Sequence, residues 1–141
     1  MPKRVSEKMR VRAGSRAFFH GASEMALAAL ELPALDVSAE LLGEFDYLHL
    51  FATTQAALGA TSPELARHLK PTGMFWVSWP KGRQLGTDLT LPEVIRIGYN
   101  HGLVESTSLS VDTTWSALKF THPKPDKEYR NSYGQLPRQD P

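Results

Sequence analysis

The chain has 141 residues, 16 lysines and arginines against 15 aspartates and glutamates, 41% apolar residues and no cysteine. That is the composition of an ordinary globular domain, one long enough to bury roughly 68% of its unfolded surface. It excludes disulfides, thiolate nucleophiles and iron–sulfur sites, and contains no apolar run near the ~20 residues of a membrane helix.

The net charge of +1 conceals a segregation. Residues 1–12 carry Lys3, Arg4, Lys8, Arg10 and Arg12 against Glu7, and the tail from Thr121 carries four cations against three anions. The body between them holds seven cations and eleven anions. A folded part of that sign lacks the basic footprint of a nucleic-acid binder, so nucleic acid is not an expected partner. The basic start reads as a flexible solvated segment. No apolar stretch follows its cations, so the expectation is a cytoplasmic protein without a signal peptide.

After the turn signal at Ala13-Gly14-Ser15, residues 16–20 read as a first strand ending at His20-Gly21. Residues 23–32 are alanine-rich and helical, stopped by Pro33. A weak second strand is expected within 34–39 and a stronger one over 45–52. Thr53-Thr54 opens a short helical turn that Gly59 ends. A separate helix over 63–70 would be capped through Thr61 and Glu64, or by Ser62 with Pro63 first in the helix. The run Met74 to Trp79, bounded by Gly73 and Pro80, reads as the central strand, buried on both faces. Thr90 and Glu93 then open a helix whose apolar face is Leu91, Val94, Ile95 and Tyr99, closed at Asn100-His101-Gly102. Residues 103–111 and 114–121 form a hairpin turning at Asp112-Thr113, and four prolines mark residues 121–141 as an irregular tail.

This order predicts one α/β domain over residues 13–120, a small Rossmann-like three-layer sandwich. Its sheet is mostly parallel and ends in an antiparallel hairpin. Right-handed crossovers deliver the carboxyl ends of the parallel strands to one edge, where open α/β sheets bind ligands. The residues collected there are His20, Gly21, Lys81, Arg83, Thr87, Asp88, Asp112 and Trp115. Lysine and arginine suit an anionic group, and the glycines of Lys81-Gly82-Arg83-Gln84-Leu85-Gly86 permit close backbone approach. The alternative reading of that loop is a solvated connection into the next helix.

Other chemistries are thinly supplied. A dinucleotide fingerprint needs several glycines, whereas His20-Gly21-Ala22-Ser23-Glu24 has one, and Glu24 would repel phosphate. Asp36 and Glu40 are the acids that could reach a ribose hydroxyl. Ser23 reads as a helix cap rather than a nucleophile, because Met25 replaces the second glycine of a nucleophile elbow. The five histidines show no metal-binding spacing, and His49, mid-strand, reads as a satisfied core residue. Trp76 and Trp79 read as packing, while Trp115, beside the hairpin turn, is a possible ligand contact.

Lys8-Met9-Arg10-Val11, the Phe45-to-Phe51 strand, Trp76-Val77-Ser78-Trp79-Pro80-Lys81, Thr87-Asp88-Leu89-Thr90 and Asp112-to-Phe120 together resemble a bacterial family of domains of unknown function, numbered thirty fifty-two. That resemblance implies no catalytic residues. More distantly, the layout resembles a shortened class I methyltransferase fold, whose last two strands also form a hairpin. This implies S-adenosylmethionine (SAM) as a cofactor to test. The sequence departs from that pattern in lacking the glycine-rich loop after the first strand and a helix–strand unit before Phe45. The leading expectation is therefore a non-catalytic module binding a small anionic molecule or a protein partner. The alternatives are a SAM-dependent methyltransferase with an atypical cofactor loop and a purely structural interaction domain.

Overall fold

The computed structural model describes residues 3–137. Six strands form one sheet: β1 (Arg16–His20), β2 (Asp36–Val37), β3 (Phe45–Phe51), β4 (Leu69–Pro80), β5 (Val104–Ser110) and β6 (Trp115–Thr121). Their order is β2-β1-β3-β4-β6-β5. The first four are parallel, and β6 turns antiparallel to both β4 and β5. The helices are α1 (Val5–Met9), α2 (Glu24–Ala29), α3 (Gln55–Ala66) and α4 (Leu91–Asn100).

Strand alternation explains the three layers, since successive side chains leave opposite faces. Tyr47, Phe51, Trp76 and Ala117 join Met9, Val11, Ala26 and Leu30 on the face covered by α1 and α2. Leu48, Leu50, Val77, Trp79, Leu118 and Phe120 join Leu58, Leu65, Val94, Ile97 and Tyr99 on the face covered by α3 and α4. Helix α4 lies so close to the sheet that a Cβ on Gly98 would overlap the Phe120 ring.

Several elements differ from the sequence reading. The two helices expected between Thr53 and Lys70 are one. Thr54 caps it by accepting from the Ala57 amide at 3.0 Å, and the chain stays helical through Gly59 and Pro63. Proline's ring crowds the residue four positions back. Here the crowded group is the Gly59 carbonyl, which also loses its amide donor at Pro63. Strand β4 begins at Leu69 and runs through Pro71, accommodated by a bulge: the two steps from Phe45 to Tyr47 face the five from Leu69 to Met74. Leu91, expected on the apolar face of α4, is 39% exposed.

The basic segment, read as flexible, carries α1 in its described part. Met9 is fully buried, and the Ser6 hydroxyl donates to the Glu31 carbonyl at 2.6 Å. Residues 122–137 are irregular but packed. Tyr129 and Leu136 rest on the core, and the Asn131 amide donates to the Glu105 carboxylate at 2.7 Å.

Candidate functional site

Strands β1, β3 and β4 end at His20, Phe51 and Pro80, and β6 starts at Trp115 directly opposite Pro80. The carboxyl rim therefore gathers the segments that the sequence placed there. Gly21 turns the chain with φ +78°, and any Cβ on it would overlap the Phe51 carbonyl oxygen. Trp115 meets Phe51 edge-on, with ring centroids 5.2 Å apart. These contacts lie on the α1–α2 side of the sheet, whereas Trp79 and Leu89 face α4. The rim is thus one edge with two sides.

Most of its polar side chains serve the fold. The Asp88 carboxylate accepts from the Gln55 amide at 2.8 Å, satisfying a free donor at the start of α3. The Thr87 hydroxyl donates to the Thr53 carbonyl at 2.5 Å and accepts from the Leu89 amide at 3.1 Å. Asp112 builds the hairpin turn, its carboxylate accepting from the Thr114 and Trp115 amides, each at 2.8 Å. The Lys81 ammonium donates to the Asp112 carbonyl at 2.5 Å and to the Ser110 hydroxyl. Those acceptors are neutral, so its charge is not cancelled. Gln55 and Ser110 were not singled out in the sequence, because nothing local marks a residue whose partner lies about 30 positions away.

Arg83 and His20 are exposed, and Arg83 has no carboxylate partner among the described residues. Arg83 and Leu85 hold left-handed conformations, φ +60° and +55°, which cost a side-chain-bearing residue roughly 1–2 kcal/mol. Beside them a shallow groove of about 320 Å³ is lined by Trp79, Pro80, Lys81, Arg83, Leu91 and Ser116. Thr90, the N-cap of α4, also borders it, and its hydroxyl donates to the Glu93 carboxylate, which meets the positive end of that helix in its first turn.

The acids considered for a ribose fall short of this rim. Asp36 pairs with Arg16, at the opposite end of β1 from Gly21. The chain turns back through the Ser38–Glu40 hydrogen bonds, and by Leu42 it is again beside Arg16. Ser23 is a cap, accepting from the Ala26 amide at 3.1 Å. Among the described residues, no three histidine, aspartate or glutamate side chains are grouped to hold a metal. No helix among the described residues is long and apolar enough to cross a membrane.

The core histidine is satisfied on both nitrogens. Tyr47 Oη lies 2.6 Å from His49 Nδ1, and His49 Nε2 lies 2.7 Å from Ser78 Oγ, with all three residues fully buried. Burial holds His49 neutral, its pKa lowered to about 3, and pushes Tyr47 up.

No protein-family model matches the sequence, and no curated protein matches it. Solved structures do match. The ribosomal protein L11 methylase of Lactobacillus delbrueckii subsp. bulgaricus is 14% identical, with a TM-score of 0.53 over 84% of this chain and 74% of that one. The precorrin-6y C5,15-methyltransferase of Geobacter metallireducens GS-15 is 11% identical, with a TM-score of 0.56 over 84% and 86%. The SAM-bound magnesium protoporphyrin IX methyltransferase of Synechocystis PCC 6803 is 11% identical, with a TM-score of 0.55 over 84% and 74%. At these identities the likeness is one of fold: a truncated, Rossmann-like methyltransferase architecture.

Proposed function

We propose that the protein is a non-catalytic binding module of methyltransferase fold that takes a small anionic ligand at its carboxyl rim. The observation that carries this reading is the groove beside Arg83. Two cations without carboxylate partners among the described residues and the amino end of α4 converge there on a strained loop. Strain of this kind concentrates at ligand clamps. Against catalysis, the groove is lined by no histidine, aspartate or glutamate among the described residues, and Thr87, Asp88 and Asp112 elsewhere on the rim are engaged with the protein's own backbone.

A thermal-shift screen over nucleotides, phosphosugars and methyl donors tests this. A ligand at a hundred times its Kd adds ~2.7 kcal/mol, several degrees for a domain of this size at roughly 2–8 °C per kcal/mol. Arg83→Glu should abolish the shift with the fold intact, since Arg83 is exposed. A shift that survives Arg83→Glu removes the ligand from this groove. Arg83 is a cleaner probe than Asp88, whose loss would also uncap α3.

A second reading is SAM-dependent methyl transfer, favoured by the shared fold with a SAM-bound enzyme. Calorimetry with SAM and its demethylated product separates the two. Binding of either compound at micromolar strength would reject the module as stated and favour the enzyme.

A further inference from the structure

At the opposite, amino edge of the sheet, a cavity of about 470 Å³ is lined by Arg10, Arg12 and Lys119, with the hydroxyls of Ser15, Thr72 and Thr121 around them. Two segments far apart in the chain supply the cations. Arg10 is the left-handed C-cap of α1, Arg12 follows the buried Val11, and Lys119 projects from β6 opposite Trp76. The bulge between Leu69 and Met74 forms the remaining wall through Thr72 and Gly73.

One carboxylate, Asp46, borders the cavity, and it is already engaged. It accepts from the Lys70 ammonium and the Arg16 amide, each at 2.9 Å, and these bonds hold its pKa below the usual carboxylate value. No carboxylate pairs with Arg10, Arg12 or Lys119 among the described residues. Lys119 is half-buried, and its pKa is lowered by that burial and then by the charge of Arg10. Like charges converging on a concave, partly desolvated space repel one another unless an anion enters between them.

We propose that this cavity is a binding site for a phosphomonoester, its phosphoryl group held between Arg10, Arg12 and Lys119. A phosphomonoester carries about −1.5 to −2 charges at neutral pH and three acceptor oxygens, which matches two guanidinium forks, one ammonium and flanking hydroxyls. The volume lies within the ~300–1,000 Å³ range of small-molecule pockets. It therefore leaves room for an organic portion beyond the phosphoryl group. The site is independent of the carboxyl-rim groove, because it lies at the other end of the strands.

Calorimetry on the full chain with ribose 5-phosphate, inorganic phosphate and ribose tests the assignment. Ribose 5-phosphate should bind, ribose should not, and raised salt should weaken binding. Measured in an Arg83→Glu background, so that the carboxyl-rim groove does not contribute, Arg12→Glu, at an exposed position, and Lys119→Met should each weaken binding roughly tenfold or more. Equal binding of inorganic phosphate would support the phosphoryl site and identify free phosphate as its source. No binding of either phosphate compound, or binding unaffected by Arg12→Glu, would overturn the proposal. If Lys119→Met fails to fold, Arg12→Glu with its circular dichroism spectrum intact decides the outcome.

Discussion

At the scale of single residues, His49 is the position at which buried chemistry sets a measurable property. In the tautomer where Tyr47 donates to Nδ1, the hydrogen on Nε2 reaches Ser78, so both ring nitrogens of His49 have a partner. A proton added to His49 would place a charge in a fully buried site. The unfolded chain takes up that proton near pH 6.5, whereas the native state resists it to about 3. Stability is therefore full above about pH 6.5 and falls as pH drops toward 3, by up to about 1.4 kcal/mol per pH unit. His101 is lowered in the same direction by burial, so a His101→Gln background isolates the effect. Urea midpoints between pH 7 and pH 5 should show the decline. A flat profile in that background would contradict a neutral, buried His49. The burial of this residue was legible locally, because a histidine among Tyr47, Leu48, Leu50 and Phe51 sits in a strand that packs in the core. It could not name Ser78, which arrives from β4.

At the scale of elements, α3 teaches how competing local signals are resolved. Gly59 and Pro63 both read as breaks, and Thr61 with Glu64 read as a new start. The helix runs through all of them because Leu58, Ser62 and Leu65 are buried on one continuous face. The Ser62 hydroxyl adds a bond to the Leu58 carbonyl at 2.6 Å. Packing of that face outweighs propensity penalties of about 1 kcal/mol at the glycine and about 3 kcal/mol at the proline. Gly59 has ordinary helical geometry, and nothing lies within 4 Å of where its Cβ would be. Gly59→Ala should therefore stabilise the protein by about 0.5–1 kcal/mol, read as a higher urea midpoint at unchanged slope. Destabilisation would mean that the turn below Pro63 needs the glycine after all. Hairpin β5–β6 was more legible, since Asp112 and Thr113 separate two strand-like runs and the aspartate makes the turn bonds itself.

For the molecule as a whole, the tail is the element whose role is least visible locally. Residues 122–137 have the proline content and mixed charge of a loose segment, yet Tyr129 and Leu136 cover the α3–α4 core, and Gly134 lies against the Tyr99 ring. Truncation after His122 should cost about 1–3 kcal/mol, the worth of one or two buried apolar side chains. The check is a lower urea midpoint with the far-ultraviolet spectrum retained. An unchanged midpoint would show that these contacts add nothing.

By itself the sequence determined the succession of strands, the parallel sheet with its terminal hairpin, and the delivery of Gly21, Lys81, Asp88 and Trp115 to one edge. Those features follow from periodicity, turn residues and the handedness of crossovers, all of which act over short stretches of chain. Only the tertiary structure decided what the edge residues do. Asp88 bonds to Gln55, Thr87 to Thr53 and Lys81 to the Asp112 carbonyl, leaving Arg83 beside the groove. It also brought Arg10 and Arg12 to Lys119, more than a hundred positions away, around one cavity. Hydrogen bonds and fields of this kind depend on distances between remote segments, and folding alone sets those distances.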